Sequence, residues 1–201
     1  MKRITLAVAA ALLLFASCNN KPATDQPAAA TETKPVNPDG EGFKRIKVAQ
    51  YSIALPDNMT QQNNLNDDAS LQYADLTGEF YIIAIDETKL SVDSALRDAG
   101  LLGKKKSDTS LWLGFCDLMA NNYKNNVQDF KEFHQRELTI NGLRALRNTF
   151  EGKVDSYDVF YTIDFIEGKD HLYQVMTWTM TKFRDQYKDK MDHMLNSFRE
   201  E

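Results

Sequence analysis

From Phe133 to Thr181, apolar residues recur with a period of two in four successive runs: 133–140, 143–150, 157–166 and 172–181. Neighbouring side chains of a strand point to opposite faces, so this period is that of β-structure. Asn141-Gly142 joins the first two runs. That pair tolerates positive φ at both positions and sets up a two-residue hairpin. The strongest constraint is that apolar residues occupy both faces of the runs. Tyr157, Val159, Tyr161, Ile163 and Phe165 share one face of the third run, while Phe160 and Ile166 lie on the other. In the fourth, Leu172, Met176, Trp178 and Met180 oppose Tyr173 and Val175. A sheet with one wet face alternates cleanly, so a sheet built from these runs needs cover on both sides.

Helices can supply that cover. The spacing predicts a helix over 91–99, with Ser91 as N-cap and Gly100 just past its end. A second is predicted over 109–126, capped by Thr109 or Ser110, with Leu111, Phe115, Leu118 and Asn122 on one stripe between Trp112 and Met119. A third, over 184–199, carries Phe183, Tyr187, Met191, Met194 and Phe198 on one side. Upstream, 43–48 and 51–55 read as strands before a turn at Pro56-Asp57-Asn58. After a polar loop over 61–68, 71–76 and 80–85 form a hairpin across Thr77-Gly78. The expected fold class is α+β, an antiparallel sheet of about six to eight strands sandwiched between helices.

The N-terminus speaks to compartment. Lys2 and Arg3 precede the apolar run Ile4–Phe15, which is too short to cross a bilayer, and small residues Ala16-Ser17 lead to Cys18. Leu14-Phe15-Ala16-Ser17-Cys18 resembles a lipobox in a loose form, with Phe15 where leucine is usual. Residues 1–17 are therefore expected to be a lipoprotein signal peptide and Cys18 the lipidated first residue of the mature chain. Acyl chains hold a protein on a membrane because each buried CH₂ contributes about 0.8 kcal/mol. Residues 18–42 are expected to form a tether, since Pro22, Pro27, Pro35 and Pro38 fall there and no hydrophobic period does. The domain is then 43–201. Asn19-Asn20-Lys21 contains no acidic stretch, which favours a periplasm-facing orientation in the cell envelope.

Charge and side-chain inventory exclude several function classes. The formal net charge is −5, without the basic footprint of a nucleic-acid-binding domain. The chain has 2 cysteines, so no intramolecular disulfide forms once Cys18 is lipidated, and Cys116 reads as a small buried hydrophobe. His134, His171 and His193 stand far apart, in no metal-binding spacing. Asp57, Asp67 and Asp68 lie in polar loops without a calcium-loop pattern, and Ser52, Ser70 and Ser110 lack a nucleophile-elbow context. Lys104-Lys105-Lys106 reads as a solvated connector. No catalytic residue, metal site or cofactor is assigned.

One constellation is sharper. The Asn-Gly register sets Ile140 opposite Leu143, Leu138 opposite Ala145, Arg136 opposite Arg147 and His134 opposite Thr149. Two arginines face to face repel. Either an acid from the next strand, Asp158 or Asp164, answers them, or Arg136, Arg147 and His134 form a site for a small anionic ligand or partner.

Two phrases carry a family resemblance. Tyr51-Ser52-Ile53-Ala54-Leu55-Pro56 is similar to the opening strand of the PsbP-like superfamily, which includes the DcrB-type bacterial lipoproteins. Leu172-Tyr173-Gln174-Val175, Met191 and Leu195-Asn196-Ser197-Phe198 resemble that superfamily's last strand and helix. The tryptophan usual after the proline is absent, with Met59 nearest. The resemblance spans about 43–199. It implies a non-enzymatic module for assembly or binding at membranes, with another envelope protein or a small ligand as partner, and it carries over no catalytic residue. The competing expectations are an envelope hydrolase and a spacer with no ligand.

Overall fold

The computed structural model describes residues 37–102 and 110–201, with the side chain of Glu132 excepted. Residues 1–17, expected to be a signal peptide, Cys18, the expected tether up to residue 36 and Lys104-Lys105-Lys106 lie outside the described residues.

Two antiparallel sheets and three helices make up the fold. β1 (Phe43–Val48) and β2 (Tyr51–Pro56) pair with β10 (Arg199–Glu200) in a small sheet of order β1-β2-β10. The main sheet has seven strands, inside the expected range: β3 (Thr60–Gln61), β4 (Leu71–Asp75), β5 (Phe80–Thr88), β6 (Gln128–Ile140), β7 (Leu143–Val154), β8 (Tyr157–Glu167) and β9 (His171–Met180). Their order is β3-β4-β5-β9-β8-β7-β6. The β6–β7 register is the one that the Asn-Gly turn dictates, Arg136 opposite Arg147 included.

Both faces are covered, as the two-sided apolar pattern requires. On one, β2, α3 (Arg184–Asn196) and the link from α3 to β10 bury Tyr51, Ile53, Leu55, Met191, Met194 and Phe198 against Phe80, Ile82, Phe160, Ile166, Tyr173 and Val175. On the other, α1 (Lys89–Asp98) and α2 (Leu111–Asn126) bury Val92, Leu96, Trp112, Phe115 and Cys116 against Leu146, Phe150, Ile163 and Phe165. One layer is therefore part strand rather than helix alone.

Several local expectations shift. The N-cap of α1 is Thr88, three residues before the predicted Ser91, because the Thr88 hydroxyl accepts from Ser91 N at 3.1 Å and β5 runs straight into the helix. The buried stripe of α2 is Trp112, Phe115, Cys116 and Ala120, whereas Leu118 is 36% exposed and Asn122 faces solvent. Small side chains at 116 and 120 let the helix lie close to the sheet, and the large ring of Trp112 gains more from burial than Leu118 does. β6 begins five residues before its expected start, because register shifts between Gln128 and Lys131 and between Lys131 and His134 break the period. Each bulge inserts a residue, so later side chains swap faces and Phe130 and Phe133 come within 5.7 Å of each other. Gly152 on β7 admits the chain leaving α2: a Cβ there would lie 2.1 Å from Val127 Cγ1.

The compact unit begins at Asn37, so Asn37–Gly42, read as tether from composition, belongs to the domain. Asn37 Nδ2 donates to the carbonyls of Gly40 and Phe43, both at 2.7 Å. Arg45 ion-pairs with Asp39, its Nε donating at 2.9 Å. His193 Nε2 meets the Asp39 carbonyl at 2.7 Å. Composition could not reveal these long-range partners.

This clamp is sensitive to acid. The Arg45 hydrogen bond, opposed by burial and helped by the charges of Arg45, Arg199 and His193, holds the Asp39 carboxyl below its ordinary value. A carboxylate with a depressed folded pKa contributes stability that is fully present above its unfolded value, near 3.9, and lost as pH falls through the folded one. Lowering the pH from 5 towards 3 (roughly, from those values) is expected to lower the amide protection factors of Gly40 and Phe43, whose N–H groups donate to the Asn37 and Gly40 carbonyls, before the main sheet responds. In Asp39→Asn these amides should be weakly protected at both pH values.

Candidate functional site

The arginine pair resolves into two different environments. Arg147 is 2% exposed. Its Nε and one terminal nitrogen donate to the two oxygens of Asp164, each at 2.7 Å. The other terminal nitrogen donates to Asp192 on α3 at 2.7 Å, and the one that serves Asp164 also donates to Asn196 Oδ1 at 3.0 Å. Burial opposes the charge on Arg147, but the hydrogen bonds and fields of Asp164 and Asp192 outweigh it and raise its pKa. Asp164, one of the two acids expected, answers the guanidinium from the neighbouring strand, where it is the cross-strand partner of Arg147. Asp158 instead pairs in register with Lys153. Arg136 and His134 share this face of β6 with exposed side chains. All three predicted residues are thus neighbours on one face, but the donors of Arg147 point at its own acids.

The other titratable groups are dispersed. His171 Nδ1 lies 3.5 Å from Asp86 under the small sheet, and His193 caps the Asn37–Gly42 segment. Burial first, then the charge of Asp117, pushes the Cys116 thiol up to about 12, far from a reactive thiolate. No group of three or more His, Cys, Asp or Glu side chains placed to hold a metal occurs among the described residues. No helix among them is long and apolar enough to cross a membrane.

The concave, apolar site lies elsewhere, on the face that α1 and α2 cover. Register brings Phe150, Tyr161, Trp178 and Tyr81 into one row across β7, β8, β9 and β5. Phe130 extends the row onto β6. Successive ring centroids stand 4.9, 4.9, 6.4 and 5.1 Å apart from Phe130 to Tyr81, and the Trp178 and Tyr81 rings are 8° from parallel. At the helix side Tyr123 packs on Phe150, and burial pushes its hydroxyl up to about 12. On the far side cover is lost: Val154 is 48% and Tyr157 57% exposed. A groove of about 350 Å³ lies there, bounded by the Tyr161, Trp178 and Tyr81 row, with Val159, Met180 and Tyr157 along it. Glu79 stands at its β5 end, and after burial its charge and that of Asp75 raise the Tyr81 pKa. Side chains stand roughly perpendicular to a sheet, so rings stacked along the row show the groove their edges.

Sequence reasoning placed Tyr161 and Trp178 on one face of their strands but did not see the groove. The row exists only across four strands, and its signal is the aromatic at 81, 150, 161 and 178 once the register is known.

No protein-family model matches the chain, and no curated protein matches it by sequence. Solved structures do. The cyanobacterial PsbP protein CyanoP of Synechocystis sp. PCC 6803 superposes with a TM-score of 0.52 at 14% identity, over 80% of this chain and 93% of that one. LpqN of Mycobacterium tuberculosis, involved in cell envelope biogenesis, gives a TM-score of 0.51 at 10% identity, over 79% of this chain and 90% of its own. The fold is PsbP-like. At these identities the likeness extends to architecture alone. The PsbP-like sheet and its helical layers are the scaffold, and the aromatic groove is read from this chain's own residues.

Proposed function

We propose that this protein is a lipoprotein of the bacterial cell envelope, anchored through Cys18 and facing the periplasm. It acts as a non-enzymatic binding or accessory module for another envelope protein or a small ligand. The observation that carries this reading is the solvent-open aromatic groove beyond Tyr161 and Trp178, in a domain whose buried charged side chains, Asp39, Arg147, Glu151 and Asp164, are held in ion pairs. The lipobox-like segment Leu14–Cys18 supports the anchor. The PsbP-like fold supports the module, being shared with a protein involved in cell envelope biogenesis. The position of the groove fits as well. The chain enters the domain beside Asn141 and His193, at the turn end of β7. The groove lies past the other end of that strand, roughly 35 Å away at about 3.3 Å per residue.

The test combines anchor and groove in living cells. The full chain is expected in the membrane fraction, released only by detergent, and Cys18→Ala is expected in the soluble fraction. A photoreactive residue in place of Tyr157 should give one dominant adduct, lost when Met180→Lys fills the groove floor. A Cys18→Ala protein still held on the membrane would sink the anchor. Adducts at Tyr157 no different from those at the exposed loop residue Asn63 would sink the binding surface.

A further inference from the structure

A second hollow, of about 480 Å³, adjoins the aromatic groove, with Tyr157 and Met180 lining both. Their chemistry differs. The groove is walled by aromatic and aliphatic side chains, and Glu79, at its β5 end, is the charged residue in its lining. The second hollow wraps round the strand ends and carries Lys131, Asp158, Thr181 and Lys182. Lys131 is occupied by Glu151 at 3.5 Å. Asp158 is the cross-strand partner of Lys153, whose pKa it helps to raise. Lys182 is different: its Nζ lies 4.7 Å from the Phe183 ring centroid, and it meets no carboxylate among the described residues. Beside it, Thr181 Oγ1 is buried without a hydrogen-bond partner. A buried hydroxyl left unmatched is costly and calls for a partner.

An unanswered ammonium and an orphan hydroxyl are the donors an anion needs. They stand at the mouth of an apolar groove that shows ring edges rather than ring faces. A flat sugar ring stacks on an exposed aromatic face, whereas a flexible methylene chain packs along edges. Resting on the reading of this groove as the binding surface, we infer that the protein binds a single-chain anionic amphiphile of the fatty-acid type. The acyl chain lies in the groove over Val159 and Met180, beside Tyr161 and Trp178. Its carboxylate reaches the exposed Lys182 ammonium past Tyr157, and the Thr181 hydroxyl joins it by turning out of the wall in which it is buried. The combined space is in the range of small-molecule sites.

The full-length protein in phosphatidylcholine nanodiscs provides the test, with dodecanoic acid bearing a diazirine and an alkyne as probe. The alcohol of the same length and label is the control. Light should label the stretches around Tyr157–Tyr161 and Trp178–Lys182, as mapped by peptide mass spectrometry, and unlabelled dodecanoate should compete. The alcohol should label them at least about fivefold less, and Lys182→Glu should cut acid labelling roughly tenfold, the worth of one charge-assisted hydrogen bond. Lys182 is exposed, so this variant keeps its fold. Equal labelling by acid and alcohol, labelling spread over other surfaces, or a Lys182→Glu protein labelled like the parent would each overturn the inference. If the probe fails while the Tyr157 adduct in cells persists, the binding surface stands with a different occupant. If both fail, the reading of the groove falls too.

Discussion

Arg147→Ala is expected to cost about 3–5 kcal/mol of folding stability, because it leaves the Asp164 carboxylate buried without its counter-ion. Asp164 is fully buried, and both its oxygens accept from Arg147 at 2.7 Å. Burial first, helped by the charge of Asp192, raises its pKa, against the hydrogen bond and charge of Arg147, which lower it. The variant also removes a strand-to-helix tie, since Arg147 bridges β8 to Asp192 and Asn196 on α3. The double variant Arg147→Met with Asp164→Leu should recover most of the loss, since an apolar pair of similar volume needs no counter-charge. Urea unfolding checks both, with the midpoint falling in the single variant at an unchanged slope. A loss below about 1 kcal/mol would mean that water solvates Asp164 once the arginine has gone. This prediction also separates the two roles weighed for the arginines. If Arg147 served a ligand, its removal would spare stability.

Phe165→Ala is the second large effect, expected at about 3–5 kcal/mol. The side chain is fully buried at the centre of the layer between α2 and the sheet. The Phe115 ring meets it edge-on at 5.8 Å, and Tyr123 stacks at 6.5 Å. Its loss opens a cavity that rigid neighbours on β7 and β9 cannot close, so α2 loses the ring that Phe115 and Tyr123 both pack on. Amides of Phe115–Ala120 should then exchange faster than those of α3, which packs on the opposite face. Tyr157→Ala is the contrast: that ring is 57% exposed, and its removal should change stability by no more than about 0.5 kcal/mol. Thermal unfolding of the two variants beside the parent provides the comparison, and equal losses would contradict the placement of the core.

Legibility of the candidate site followed interaction range. The Arg136–Arg147 pairing could be read because a two-residue turn fixes register by itself. That Asp164 rather than Asp158 would answer Arg147 depended on the register of the next hairpin, whose loop, unlike Asn-Gly, does not fix it. The aromatic row needed four registers at once, and two bulges in β6 hid Phe130 from any period-based reading. β10 escaped for a related reason. Two residues have no period, and Arg199-Glu200 becomes a strand only because β2 lies beside it.

By itself the sequence determined the α+β class, the need for cover on both faces of the sheet, the Asn-Gly hairpin and the helical stripe at Tyr187, Met191 and Met194. These follow from side-chain period and turn chemistry, which act between residues close in the chain. Only the tertiary structure decided that Asn37–Gly42 is clamped by Arg45 and His193, that Arg147 is spent on Asp164 and Asp192, and that Tyr81, Tyr161 and Trp178 border one open groove. Each of these joins residues far apart in the chain, and such contacts exist only after packing has fixed register and layer order.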